Sequence, residues 1–348
     1  MYRIRASTSG ILGVVALIFV AQAQPSDTPP SNGEAHDAYR PPRTSWGDPN
    51  LEGKWPGTNM ASVPLQRAES LGTRNVLDDA EFADRKAKSA RQVEQDNADF
   101  DFDHPSVPFG QVGGGQSPPQ HWFERGETQR QASLIVDPPN GRLPALTAAA
   151  QKRDADRRSS SPAQPASYKD FTLYERCITR GLIGSVMPGG YNNGNQIFQS
   201  PGYVTIVNEM IHESRIVPLD GRPHSSPAIR SHLGDSRGRW EGDTLVVETK
   251  NIADRAGLGL NNTGASPALT ITERFTRTGD NTLRYLVTVD DSMTWTAPFT
   301  MQLMLERDDN YGMFEYACNE GNHALRNILS GARATERANV GATARAPR

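Results

Sequence analysis

The sequence predicts a mainly β protein, either an antiparallel β-barrel or a β-sandwich, behind an irregular N-terminal segment holding one or two helices. Two observations predict it. After residue 200, short runs of alternating apolar and polar residues follow one another with turn signals between them. Glycine and proline, 31 and 25 of 348 residues, are more frequent than in most chains and argue against a helical bundle or coiled coil. The 37 basic and 40 acidic residues nearly cancel, so neither nucleic acid nor an anionic membrane is the expected partner. A small molecule is, and the oligomeric state stays open.

The elements follow in order. Residues 1–23 read as a signal peptide: Arg3 and Arg5, an apolar run from Gly10 to Val20, then a small-x-small site at Ala21-Gln22-Ala23. That run is too short to span a bilayer, which needs ~20 residues. A periplasmic or secreted protein is expected. Residues 24–43 are a Pro-rich, polar linker expected to be disordered. Residues 44–167 form the irregular segment, opening at Trp46 to Trp55 and expected to lie against the barrel. Within it, Asp78 to Asn97 predicts a helix, because Asp78 can cap it and Glu81 stands three residues on. Ser133 to Val136 predicts a short strand ending at Asp137-Pro138-Pro139-Asn140-Gly141. Residues 148–167 suggest a short helix and a linker.

Residues 168–333 form the predicted β domain. Tyr203 to His212 reads as one strand, turning at Glu213-Ser214 into a second strand that begins with Arg215. Further hairpins are expected for Asp235–Trp240 with Thr244–Thr249, Leu269–Arg277 with Thr282–Asp290, and Phe299–Arg307 with Met313–Cys318. A barrel is preferred to a sandwich because closure removes edges and creates a cavity. Ala324 to Gly331 reads as a short helix, and residues 334–348 as a disordered tail.

Alternation assigns the strand faces. Val204, Ile206, Asn208, Met210 and His212 would share one face, with His212 opposite Arg215. An imidazole beside a guanidinium tends to stay neutral, which suits a general base, although His212 also fits a structural residue near a turn. Glu273 shares a face with Leu269, Ile271 and Phe275. A carboxylate there is either a raised-pKa acid or base, or half of a buried ion pair with an arginine such as Arg239 or Arg230. Asp220, Arg222 and His224 lie together on a Pro/Gly turn, and Tyr191 and Asn192 open a loop dense in hydrogen-bonding groups. Cys177 and Cys318, an even count in an oxidising compartment, favour one disulfide over two buried thiols. A metal shared among His212, His224, His232 and His323 is not favoured, since no pair has helical spacing, and no cofactor is expected.

Several blocks carry a resemblance: WGDPNLEGKW, LIVDPPNGRLPALT, ERCI, EMIHESRIVPLDGRPH, GDSRGRWEGDTLVVET and FEYACNEGN. Together they resemble a family of exported bacterial proteins with no established reaction. Its usual YNNNxQI loop differs here at Gly194 and Asn195, and its last block often lacks a histidine at the position of His323. NLEGKW is also similar to the Gly-x-Trp opening of lipocalin-like barrels. The expected function is general acid–base catalysis, a lyase or hydrolase reaction on a small, partly apolar molecule in the barrel cavity. His212, Glu273 and Asp220 would be its catalytic groups, with Tyr191, Asn192, Asn208, Arg215, Arg222 and His224 binding substrate. The alternative is a non-catalytic periplasmic carrier in which the same groups only orient a ligand.

Overall fold

The computed structural model describes residues 39–96, 123–160, 165–253 and 266–344. The expected signal peptide, most of the Pro-rich linker and the last four residues lie outside the described residues. Alternating apolar side chains build ten strands in two antiparallel sheets. The smaller sheet has the order β1-β3-β4-β5: Gly53–Lys54, Asn195–Ser200, Tyr203–Asn208 and Ser214–Pro218. The larger has the order β2-β10-β9-β8-β7-β6: Ile135–Asp137, Phe299–Glu306, Thr282–Asp290, Thr270–Gly279, Thr244–Lys250 and Asp235–Glu241. The irregular N-terminal segment thus adds a strand to each sheet, with Gly53 opposite Ile197 and Ile135 opposite Met301.

The two sheets share one core. Ile197, Val204, Ile206 and Val217 from the smaller meet Leu245, Val247, Ile271, Phe275, Val287 and Leu303 from the larger. Phe275 stacks on Tyr285 with ring centroids 4.7 Å apart. No pairing among the described residues joins β5 to β6 or β1 to β2, so the preferred closed barrel is not formed. The arrangement is sandwich-like. Side chains occupy one seam in place of ladder bonds: a Cβ on Gly238 of β6 would lie 2.5 Å from Leu219 and 2.8 Å from Val217.

Helix α1 spans Asp79–Asp96 and carries the expected capping box, with Glu81 N to Asp78 Oδ1 at 2.9 Å and Asp78 N to Glu81 Oε2 at 3.0 Å. Helix α2 spans Ala148–Ser160, capped by Thr147 Oγ1 on Ala150 N at 3.1 Å. Helix α3 spans Ala324–Ala344, well past the expected end at Gly331. Half-buried Leu325 and Leu329 and buried Ala332 make an i, i+4, i+7 stripe through that glycine, and Arg333 donates to the carbonyls of Pro165 and Ala166. No helix among the described residues is long and apolar enough to cross a membrane.

Two hairpins form as expected, β6–β7 around Gly242-Asp243 and β8–β9 around Asp280-Asn281. Two do not. Met313–Cys318 is no strand, because its backbone is drawn to side chains instead: Phe314 N donates to Glu209 Oε1 at 3.0 Å. Strand β4 stops at Asn208, and a four-residue loop, Glu209–His212, replaces the expected turn at Glu213-Ser214. Within it Ile211 and His212 take left-handed φ values of 60° and 46°. A β-branched residue there is strained by ~1–3 kcal/mol. Burial of the Ile211 side chain opposes that strain.

Candidate functional site

The shortened β4 keeps Val204, Ile206 and Asn208 on one buried face but takes Met210 and His212 out of the strand. With Ile206 opposite Arg215, His212 is an exposed loop residue and does not face Arg215. Its Nδ1 lies 3.2 Å from the Tyr316 carbonyl. Arg215 instead points inward between the sheets and pairs with Glu273, Nη1 to Oε2 at 2.7 Å and Nη2 to Oε1 at 2.8 Å. Glu273 is 0% exposed, and its Oε1 also accepts the Tyr285 hydroxyl at 2.8 Å. The ion-pair reading of Glu273 therefore holds, with Arg215 as the partner rather than Arg239 or Arg230. Burial opposes the charge on Arg215, but Glu273 beside it outweighs burial and raises its pKa. Burial, then the Glu273 charge, pushes the Tyr285 phenol far up, so it stays a donor.

Where Arg215 reaches the seam, a cleft of about 460 Å³ opens between the ends of the two sheets. Ser214, Arg215 and Ile216 of β5 form one wall, and Asp235, Ser236 and Arg237 of β6 the other. Glu213, His232 and the partly exposed Ile178 complete it. Its arginines are matched by carboxylates, and the Glu213 carboxylate is held by neutral donors. Arg237 pairs with Asp235 at 2.5 Å, and Glu213 accepts Ser185 Oγ at 2.5 Å and the Arg180 amide at 3.2 Å. A cleft of this size, with paired arginines and apolar rims, suits a small, near-neutral molecule with both polar and apolar parts.

Behind the β6 wall, His224 is clamped between two carboxylates, Nδ1 to Asp235 at 3.2 Å and Nε2 to Glu248 at 3.0 Å. Burial alone would raise the Asp235 pKa, but the Ser225 amide, His224 and Arg237 together hold it below the usual range. Lys250, 2.7 Å away, and His224 hold Glu248 low against its burial. Both ring nitrogens are committed, so His224 braces the wall. Asp220 and Arg222 form an exposed pair, which draws the Asp220 carboxyl down to about 2. No hydrogen bond or ion pair joins His212, Glu273 and Asp220 to one another.

The remaining expected residues gather elsewhere. Asn208 is buried, donating to Asn195 Oδ1 at 2.6 Å. Asn192 donates to Glu209 Oε1 at 3.0 Å through its side chain and to Glu124 Oε1 at 2.9 Å through its amide. The Tyr311 hydroxyl lies 2.7 Å from Glu209 Oε2 and 2.9 Å from Glu124 Oε2, and burial with both carboxylates raises its pKa. Beside this cradle, Tyr191 hydrogen-bonds with Tyr174 and Tyr316, whose own hydroxyls are 3.1 Å apart. Burial, then the Tyr174 phenol, raises Tyr191. Cys177 and Cys318 are joined, tying the Tyr174 and Tyr316 segments together. This second cluster is a loop clamp, its donors and acceptors spent on one another.

Sequence reasoning passed over Glu209 and Ser236, read Glu213 only as a turn residue, and weighed His232 only as a metal ligand. The signal for Glu209 and Glu213 was their spacing, four apart on either side of Met210-Ile211-His212. That spacing fits a loop closed by the Asn208–Glu213 pair, whose amide-to-carbonyl distance is 2.8 Å. Among the described residues, no group of three or more His, Cys, Asp or Glu side chains converges as metal ligands. No family model, curated protein or solved structure matches the chain.

Proposed function

We propose that this chain is an exported binding protein that holds a small, near-neutral, partly apolar organic molecule in the cleft between β5 and β6. The observation that carries the reading is that cleft, about 460 Å³ between two strand edges, with both of its arginines paired within the protein. Export, to the periplasm or beyond the cell, agrees with the Cys177–Cys318 bridge and with the resemblance to exported proteins. Acid–base turnover, the lyase or hydrolase reading, has one observation in its favour: His232 lines the cleft. Imidazole is the side chain best suited to moving protons near neutral pH. Against turnover by the groups first expected, Glu273 is enclosed and His212 and Asp220 are exposed on separate loops.

The test exposes the mature chain to a metabolite extract, washes it, and identifies released molecules by mass spectrometry. Binding predicts an enriched compound that leaves unchanged and is lost in Ser214→Trp, which fills the cleft. Turnover predicts a new product that disappears in His232→Ala. Equal retention by wild type and Ser214→Trp would refute the cleft as the site.

A further inference from the structure

We propose that the cleft recognises the main chain of a short, extended, uncharged peptide segment, which adds to the open edge of β5. The proposal rests on the cleft reading above and names its ligand class. In the β4–β5 ladder, the Leu219 amide donates to the Gly202 carbonyl at 2.9 Å and the Asn208 amide to the Glu213 carbonyl at 2.8 Å. Bonded and non-bonded pairs alternate along an antiparallel ladder. Glu213, Arg215 and Val217 therefore turn their backbone groups to β4, while Ser214 and Ile216 turn theirs outward. In the β6–β7 hairpin, the two-residue loop Gly242-Asp243 is closed by the pair Glu241–Thr244. The same alternation turns Ser236 outward from β6. Ser214, Ile216 and Ser236 all line the cleft, and among the described residues β5 pairs with β4 alone and β6 with β7 alone.

One wall thus offers two amide donors and two carbonyl acceptors at strand spacing, and the facing wall a further amide. The Ser236 carbonyl already accepts Arg237 Nη1 at 2.8 Å. An unpaired edge of this kind is completed by another extended backbone. At ~3.3 Å per residue, Ser214 to Ile216 covers about three residues of a partner. Charge sets a second limit, because Arg215 and Arg237 are both matched by carboxylates, so a ligand carboxylate finds no free arginine there. Ile216, 69% exposed, and Ile178 at the rim favour a small apolar side chain in the bound segment. The occupant is thus an internal stretch of a peptide chain, its charged termini lying beyond the cleft.

The experiment is calorimetric titration of the disulfide-bonded chain with acetyl-Ala-Val-Ala-methylamide and with its analogue carrying esters in place of the N–H groups of the central and last residues, one of which faces β5 in either register. The amide should bind saturably, and the ester about 3- to 10-fold more weakly for the one hydrogen bond removed. Ile216→Pro removes an edge donor outside the β4 ladder and should abolish binding, whereas Ile216→Ala keeps that amide, loses only the apolar rim contact, and should bind measurably but more weakly than wild type. If Ile216→Pro fails to fold, the ester comparison on the unaltered chain decides. The tripeptide with free termini should bind more weakly than the blocked form, because its carboxylate finds no free arginine in the cleft, and tighter binding of the free form would overturn the proposal. Equal affinity for amide and ester would overturn the proposal. So would no tripeptide binding at millimolar concentration: if the extract still yields a ligand lost in Ser214→Trp, the peptide class falls and the cleft reading stands, and if it does not, both fall.

Discussion

Removing one partner of the Arg215–Glu273 pair should destabilise the fold far more than removing both. Glu273 is 0% exposed and Arg215 7%, with two contacts of 2.7 and 2.8 Å linking the smaller sheet to the larger. Glu273→Gln or Arg215→Met leaves a charge enclosed without its counter-charge, a loss of ~3–5 kcal/mol. Replacing both, as Arg215→Met with Glu273→Leu, removes the two charges together and restores apolar volume. What remains unpaired is the Tyr285 hydroxyl, 2.8 Å from Glu273, whose lost acceptor costs ~1–3 kcal/mol. Tyr285→Phe added to the pair should recover most of that. Urea unfolding of the oxidised chain measures all four variants. The reasoning fails if the double variant is as unstable as the sum of the singles, or if Glu273→Gln costs less than ~1 kcal/mol.

Three further outcomes are expected. Gly194→Ala places a Cβ within 2.6 Å of Glu209 Oε2 and 2.7 Å of Tyr311 Cε1, and closer still to Met313 Sδ, so it should cost ~1–3 kcal/mol in urea unfolding. Cys177→Ser with Cys318→Ser opens a link across 141 residues and should cost ~2–5 kcal/mol, read as a lower thermal midpoint that reductant no longer changes. Asp235 and Glu248 both have depressed pKa values in the fold. Their contribution is full above the unfolded values of ~3.9 and ~4.3 and is lost as pH falls through the folded ones. The thermal midpoint should therefore drop below about pH 4.3, less steeply in Asp235→Asn with Glu248→Gln, and an unchanged slope would contradict the assignment.

Strands with strict alternation and true turn residues were legible in the sequence. Gly242-Asp243 and Asp280-Asn281 mark their hairpins, and Asp78 with Glu81 marks the start of α1. The end of β4 was not legible, because Met210-Ile211-His212 continues the β-like pattern and nothing local announces left-handed backbone at Ile211. Tertiary contacts impose it: the Glu209 carboxylate is held by Asn192, Gly194, Tyr311 and Phe314, all distant in sequence. Glu273 was recognisable as a buried carboxylate from its apolar face. Its partner was not, since pairing Arg215 with it depends on how two separate sheets meet. The cleft was hidden for the same reason: β5 and β6 read as ordinary strands, and only the sheet order shows that each ends its sheet.

Hydrogen exchange by mass spectrometry, on the disulfide-bonded chain with and without the molecule retained from extract, tests the central claim most directly. The cleft reading predicts added protection confined to residues 213–216 and 231–237. Protection centred instead on the tyrosine clamp at 191–193 and 311–316, with 213–216 and 231–237 unchanged, would contradict it.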